Sequence, residues 1–143
     1  MKILIICKAN SCRSQMAEAF LKKHDPAFEV FSAGPEPARV VHPFTVQAMK
    51  EIGYDISGAK TKDVTGFINE NWDYVITVCD IARAACPVFS GNVKTSLYLK
   101  FDDPLSYEGD NEFLLKLVRT TRDNIKMEFE DFYHDFLKQN KQK

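Results

Sequence analysis

Residues 3–14 read Ile3-Leu4-Ile5-Ile6-Cys7-Lys8-Ala9-Asn10-Ser11-Cys12-Arg13-Ser14. The unbroken apolar run, rich in β-branched side chains, predicts a buried parallel strand over residues 2–7. After it come a thiol, five loop residues, a guanidinium and a hydroxyl. If a helix opens near Arg13, the loop between strand and helix can turn its N–H groups inward around a tetrahedral oxyanion, with the helix N-terminus adding positive potential. A thiol at its ordinary pKa is only about 3% thiolate at neutral pH, so a nearby guanidinium and a ring of N–H groups are what a nucleophilic Cys7 needs. The alternative is a buried Cys7 beside an unrelated surface Arg13.

The rest of the chain continues the alternation of strand and helix. Met16, Ala17, Phe20 and Leu21 share one helical face over residues 14–24, and Asp25-Pro26 ends that helix. A second strand is expected over residues 28–32, ending toward Gly34. Pro43 suits the first turn of a helix reaching Ile52 and closed by Gly53. Residues 74–78 read as a third buried strand and residues 93–99 as a fourth. A last helix begins near Asp110, and Leu114, Leu117, Val118, Ile125, Phe129, Phe132 and Phe136 form its core-facing stripe. The tail from Lys138 onward reads as a frayed helix end. Strands separated by helices imply right-handed crossovers. The expected fold is therefore a single three-layer α/β domain over residues 1–143, built on a four-stranded parallel sheet. Ligands bind such sheets at the carboxyl ends of the strands, where Cys7 and Cys79 fall.

Composition narrows the function. With 45% hydrophobic and 27% charged residues and a net charge of -1, the 143-residue chain resembles an ordinary globular domain. No basic excess points to nucleic acid, and no segment is long enough to span a membrane. The first apolar run is too short for a signal peptide and is interrupted by Lys8. A cytoplasmic monomer is the expectation, in which four cysteines are catalytic, redox-active or metal-binding rather than a disulfide framework.

The second cysteine pair lies in Cys79-Asp80-Ile81-Ala82-Arg83-Ala84-Ala85-Cys86. Its alanines favour a helix. Seven helical residues span about 10.5 Å, whereas a disulfide needs Cα atoms within roughly 7 Å. A Cys79–Cys86 bond thus requires the helix to unwind. Cys79 can meet Cys7 if their strands are neighbours, since adjacent strands lie under about 5 Å apart. The plainer reading makes these thiols small core residues. A zinc site fits less well, because four and six residues separate the members of the two pairs rather than the usual two to four. Phe101-Asp102-Asp103-Pro104 offers a carboxyl group that could protonate a leaving oxygen, or simply an Asp-Pro turn. Asp102 is expected to cap or face solvent.

Taken together, Asn10-Ser11-Cys12-Arg13-Ser14-Gln15-Met16-Ala17-Glu18, Phe31-Ser32-Ala33-Gly34, the Cys79/Cys86 pair and Phe101-Asp102-Asp103-Pro104 resemble the thioredoxin-coupled arsenate reductases. That family is built on the low-molecular-weight protein tyrosine phosphatase fold. The anion loop and Asp-Pro motif are shared with the phosphatases, and the second cysteine pair is the specific part. The resemblance implies a relay. Cys7 attacks arsenate held by Arg13 and the loop of Lys8, Ala9, Asn10, Ser11 and Cys12, while Asp103 protonates the departing oxygen. Cys79 attacks Cys7 and arsenite leaves. Cys86 then attacks Cys79, and thioredoxin reduces the Cys79–Cys86 bond. Ser14 would donate to the Cys7 thiolate, Asn10 would shape the loop, and Cys12 is a loop thiol without an assigned redox role.

The resemblance implies no required cofactor. Some members bind a potassium ion, whose oxygen ligands by similarity would be Asn10, Glu18, Ser32, Thr61 and Asp63. The alternative function is a phosphatase acting on phosphotyrosine or small phosphoesters, although Leu105-Ser106-Tyr107 fits poorly with the aromatic grip such enzymes carry. A non-catalytic oxyanion receptor would have no use for Cys79 and Cys86. Two positions depart from the family. Ala9 stands where glycine is usual, which predicts a strained positive φ costing on the order of 1 kcal/mol, or a locally different loop. Lys8 stands where an uncharged residue is usual and would add positive potential to the pocket. His24, His42 and His134 are expected in surface or capping roles.

Overall fold

The computed structural model of the protein describes residues 1–138, without the side chains of Ile81 and Arg83. Four strands, β1 (Lys2–Ile6), β2 (Glu29–Ala33), β3 (Trp72–Thr77) and β4 (Val93–Tyr98), pair in parallel in the order β2-β1-β3-β4. β1 is central, and Ile3, Leu4, Ile5 and Ile6 are all 0% exposed. Side chains alternate between the faces of a strand, so both faces of β1 are covered. Helix α1 (Arg13–His24) follows β1 and packs on β1, β2 and the long α4 (Asn111–Phe132). Helix α2 (Pro43–Glu51) also packs on α4, and the six-residue α3 (Asp80–Ala85) leans on β3. No described helix is long and apolar enough to cross a membrane.

The local chemistry of the helix ends follows the sequence. Pro43 opens α2 behind His42, whose Nδ1 accepts the Phe44 N–H at 3.0 Å. Asp110 caps α4 by accepting the Phe113 N–H at 2.8 Å. The observed strands and helices match the expected ones to within two residues. β3 starts earlier than expected because Asp73 interrupts the apolar run without leaving the sheet. Its carboxylate accepts the Lys2 N–H at 2.7 Å and pairs with Lys94 at 3.1 Å, linking three strands.

One part of the expected core stripe is corrected. Val118, Ile125, Phe129 and Phe132 are buried and Leu114 and Leu117 half-buried, but Phe136 is 57% exposed. The chain passes from α4 into a π-helical turn, Tyr133–Leu137. Its extra residue per turn shifts the phase of the stripe, so Leu137 takes the buried position, 0% exposed, that the 3.6-residue period assigns to Phe136. The start of that turn stacks Tyr133 on His24 at 5.0 Å, with His134 edge-on to His24. The tail expected to fray lies almost wholly outside the described residues.

Candidate active site

Cys7 stands just past the carboxyl end of β1, with its N–H donating to Ala33 O at 3.3 Å. The loop from Lys8 to Cys12 is held from outside by its carbonyls. Lys8 O accepts from Glu36 N (3.0 Å), Ala9 O from Ala38 N (2.9 Å), and Ser11 O from His42 N and the Thr45 hydroxyl (both 3.0 Å). Asn10 O accepts from Gln15 Nε2 at 3.1 Å. In a trans peptide the following N–H points the opposite way. The N–H groups of Ala9, Asn10, Ser11 and Cys12 therefore face inward, forming the anion-binding concavity the sequence suggests.

Left-handed backbone in this loop falls on Asn10, at φ 51, and not on Ala9. The strain expected at Ala9 is thus absent, because the loop places its left-handed turn one residue later, on a side chain type that tolerates it. Asn10 is fully buried and fixed by four side-chain hydrogen bonds. Its Nδ2 donates to Ser14 Oγ (2.8 Å) and Ser32 Oγ (2.9 Å), and its Oδ1 accepts from Gln15 Nε2 (3.1 Å) and Lys62 N (2.9 Å). Ser14 Oγ lies 2.9 Å from Cys7 Sγ. Because that hydroxyl already accepts from Asn10, its own proton is free to be donated to sulfur. Gly34 closes the back of the loop. A Cβ there would sit 2.4 Å from the carbonyl oxygens of both Cys7 and Lys8, so only glycine permits this approach.

Arg13, 7% exposed, begins α1 and reaches across the mouth of the loop. One guanidinium nitrogen donates to Phe101 O at 3.0 Å and another lies 3.6 Å from Asp103 Oδ2. Asp103 makes the turn of its motif and also faces the cavity. Its Oδ1 accepts the Leu105 N–H at 2.9 Å and caps a short 3-10 turn, while Oδ2 faces Arg13. Asp102 is exposed, as expected. Cys7, Lys8, Ser11, Arg13 and Asp103 are among the residues enclosing a cavity of about 60 Å³. At about 10–15 Å³ per water-sized group, that is room for one small tetrahedral anion. Cys12 also lines it. Burial pushes the Cys12 thiol up to about 12, with the Thr45 hydrogen bond working against that and the charge of Cys7 adding to it. Cys12 is thus held as a neutral thiol. Burial also pushes His42 below its ordinary range, opposed by the charge of Asp103.

The second pair of thiols adjoins this cavity. β1 and β3 are hydrogen-bonded neighbours, with Ile6 opposite Thr77 and the Val78 N–H donating to Ile6 O at 2.9 Å, so Cys7 and Cys79 leave the sheet side by side. Cys79 borders a second cavity of about 360 Å³ that shares Lys8, Arg13 and Asp103 with the first. Its Sγ caps α3, accepting the Ala82 N–H at 3.3 Å. The Asp80 carboxylate, at the first position of α3, pairs with Lys100 at 3.1 Å and accepts from the Tyr98 hydroxyl. Cys86 ends α3 on the other side and is half-buried, which pushes its thiol up. All four cysteines are free thiols.

A profile described as low molecular weight phosphotyrosine protein phosphatase matches residues 2–143. The chain belongs to this family. Among curated relatives, an arsenate reductase of Halalkalibacterium halodurans is 41% identical over 124 residues, 86% of this chain and 88% of that protein. A solved arsenate reductase in its phosphate-binding state has a TM-score of 0.75 at 32% identity, covering 92% of this chain and 95% of that one. The thioredoxin-dependent arsenate reductase of Corynebacterium glutamicum has a TM-score of 0.60 at 29% identity, covering 91% of this chain and 60% of that one. The sheet order and the anion loop are this family's fold as it stands in the present chain.

The five oxygen-bearing residues expected around potassium lie near the back of the anion loop, where Asp63 bridges Gly34 and the Lys62 N–H between Thr61 and Asp63 bonds Asn10. Asn10 and Ser32 are hydrogen-bonded to each other. The Thr61 hydroxyl donates to Ala38 O at 2.6 Å, and Asp63 Oδ1 caps a 3-10 turn through Thr65. Glu18 pairs with Lys22 at 2.9 Å and faces the Lys62 ammonium at 3.9 Å. A potassium ion beside Glu18 would meet two ammonium groups around that carboxylate, so Glu18 as placed does not fit as its ligand. No group of three or more His, Cys, Asp or Glu side chains among the described residues is arranged to hold a metal.

Sequence reasoning did not single out Gln15, Thr45, Lys62 or the Phe101 carbonyl. Gln15, 2% exposed, ties Asn10 to Lys60 O at 3.0 Å. Its position one helical turn before Ala19, on the same side as Glu18 and Lys22, was the available signal. The Phe101 carbonyl leaves no side-chain trace in the sequence at all.

Proposed function

We propose that this protein reduces arsenate to arsenite through Cys7, Cys79 and Cys86 and is returned to the thiol state by thioredoxin. The observation that carries the reading is the placement of Cys7 and Cys79 at the ends of adjacent strands, on cavities sharing Arg13 and Asp103, with Cys86 one short helix away. The family relatives named as arsenate reductases support it.

Arsenate enters the small cavity, its oxygens facing the inward N–H groups and Arg13. Cys7 sulfur bonds to arsenic, and one oxygen departs with a proton from Asp103. Cys79 sulfur then attacks Cys7 sulfur. A disulfide forms, the sulfur–arsenic bond breaks, and its electron pair stays on arsenic, taking As(V) to As(III). Cys86 next attacks Cys79, releasing Cys7 as thiol. The Cys79–Cys86 bond cannot form across an intact α3, so that helix opens and carries the disulfide outward. Six residues are too few for a helix to be stable alone, which makes the opening inexpensive. Thioredoxin's dithiol supplies the two electrons. We take the protein to act as a cytoplasmic monomer, since that compartment keeps such thiols reduced.

The test is NADPH oxidation in the presence of arsenate, thioredoxin and thioredoxin reductase, run beside hydrolysis of 4-nitrophenyl phosphate. Turnover with arsenate that vanishes in Cys7→Ser and Arg13→Ala supports the reading. Robust phosphatase activity with no arsenate turnover would replace it with the phosphatase reading.

A further inference from the structure

Lys62 sits between two of the residues that family resemblance assigns to potassium, and it is bound at three points. Its backbone N–H donates to Asn10 Oδ1 at 2.9 Å, its carbonyl accepts the Gly34 N–H at 2.9 Å, and its ammonium donates to Lys60 O at 3.0 Å. That ammonium also stands 3.9 Å from Glu18, whose side chain is only 13% exposed. From Lys62 a continuous chain of hydrogen bonds runs through Asn10 and Ser14 to Cys7 Sγ. Gly34, whose amide Lys62 holds, is the residue packed against the Cys7 and Lys8 carbonyls.

We propose that the Lys62 ammonium is this protein's built-in monovalent cation, holding the anion loop in shape where a free alkali ion would otherwise be needed. An ammonium carries the same unit charge as an alkali ion and directs three donors at surrounding oxygens. Here it stands with Lys22 against Glu18, the more buried carboxylate of the set, so that this carboxylate is already matched by fixed cations. Because it is covalently part of the segment that grips Asn10 and Gly34, its anchoring is transmitted to the loop without any dependence on salt composition. Lys62 is a positioning residue: it reaches the oxyanion only through Asn10 and Ser14. The proposal concerns the shape of the loop and stands whichever reaction the loop serves.

The probe is inorganic phosphate, whose binding needs no thiol chemistry, followed by titration calorimetry at matched ionic strength in potassium, sodium or choline chloride. The wild type is expected to bind phosphate within twofold equally in all three. Lys62→Ser should bind about tenfold more weakly in choline and recover in potassium, with sodium less effective, whereas Lys62→Arg should behave as wild type. A wild type that binds fivefold or more tightly in potassium than in choline overturns the proposal. So does a Lys62→Ser protein that binds normally in choline, or one whose loss no cation restores, since that marks a merely structural contact. If Lys62→Ser does not fold, the wild-type salt comparison and Lys62→Gln decide the matter by the same criteria.

Discussion

Asn10 is the residue on which the anion loop's geometry is most concentrated, and two substitutions there separate its two contributions. Asn10→Gly keeps the left-handed backbone at φ 51 but removes four hydrogen bonds, to Ser14, Ser32, Gln15 and the Lys62 N–H. At roughly 1 kcal/mol net for each, stability should fall by about 3–4 kcal/mol, within reach of a domain whose total is about 5–15 kcal/mol. Asn10→Ala loses the same bonds but keeps a Cβ in the left-handed region without asparagine's tolerance of it, which costs about 1 kcal/mol more than the glycine variant. Both variants also free Ser14, so its hydroxyl no longer aims at Cys7, and a loss near 10²-fold in phosphate affinity or single-turnover rate is expected from a misplacement of this kind. Urea unfolding at low temperature gives the stabilities, and single-turnover arsenite release gives the rate. Equal stabilities for the glycine and alanine variants would refute the left-handed assignment. Wild-type rates in both would show that the network does not hold the nucleophile.

Two further predictions concern the groups flanking Cys7. Asp103→Asn keeps the cap on Leu105 but loses the proton donor, so single-turnover arsenite release should slow by about 10² to 10⁴ while protein stability changes little; an unchanged rate would leave Asp103 as a turn residue only. Cys12, held at about 12 against its ordinary 9.0, keeps its proton in the folded protein above pH 9 while the unfolded chain loses it. Stability from this group is therefore full below pH 9 and declines as pH rises, by about 1.4 kcal/mol per unit. Under reducing conditions, urea unfolding between pH 8.5 and 10.5 should show the wild type losing about 2 kcal/mol more than Cys12→Ser; parallel curves would contradict the burial of that thiol.

The parts of this molecule that follow from contiguous patterns were legible in the sequence. Ile3 to Ser14 specified a strand, a loop and a helix start in order, and the alanines after Cys79 specified α3. The Asp-Pro motif was readable as turn or acid, and the structure shows the turn through Asp103 Oδ1 while Oδ2 stands toward Arg13. What escaped were relations between distant segments. Nothing near Asn10 in the chain indicates that Lys62 converges on its carboxamide, or that Lys62 brings an ammonium to Glu18. The glycine usual at position 9 suggested strain, but φ is set by how the loop carbonyls are tied to Glu36, Ala38 and His42, and those ties put the left-handed residue at Asn10. Phe136 was misplaced because a periodic stripe assumes one helical period, and the π turn after Phe132 changes it. Asp73 hid the start of β3 because its partners, Lys2 and Lys94, lie on other strands.

The relay itself is tested most directly by treating the reduced protein with one equivalent of arsenate, without thioredoxin, and mapping its disulfides. One arsenite should be released per chain, Cys7 and Cys12 should remain alkylatable after unfolding, and the Cys79 and Cys86 peptides should be joined. Circular dichroism should lose the contribution of a six-residue helix, because that bond requires α3 to open. Cys86→Ser should give the same single arsenite and then stall with Cys7 joined to Cys79. Several turnovers by Cys86→Ser with thioredoxin, a Cys7–Cys12 bond in the wild type, or an oxidised form that keeps α3 intact would contradict the account.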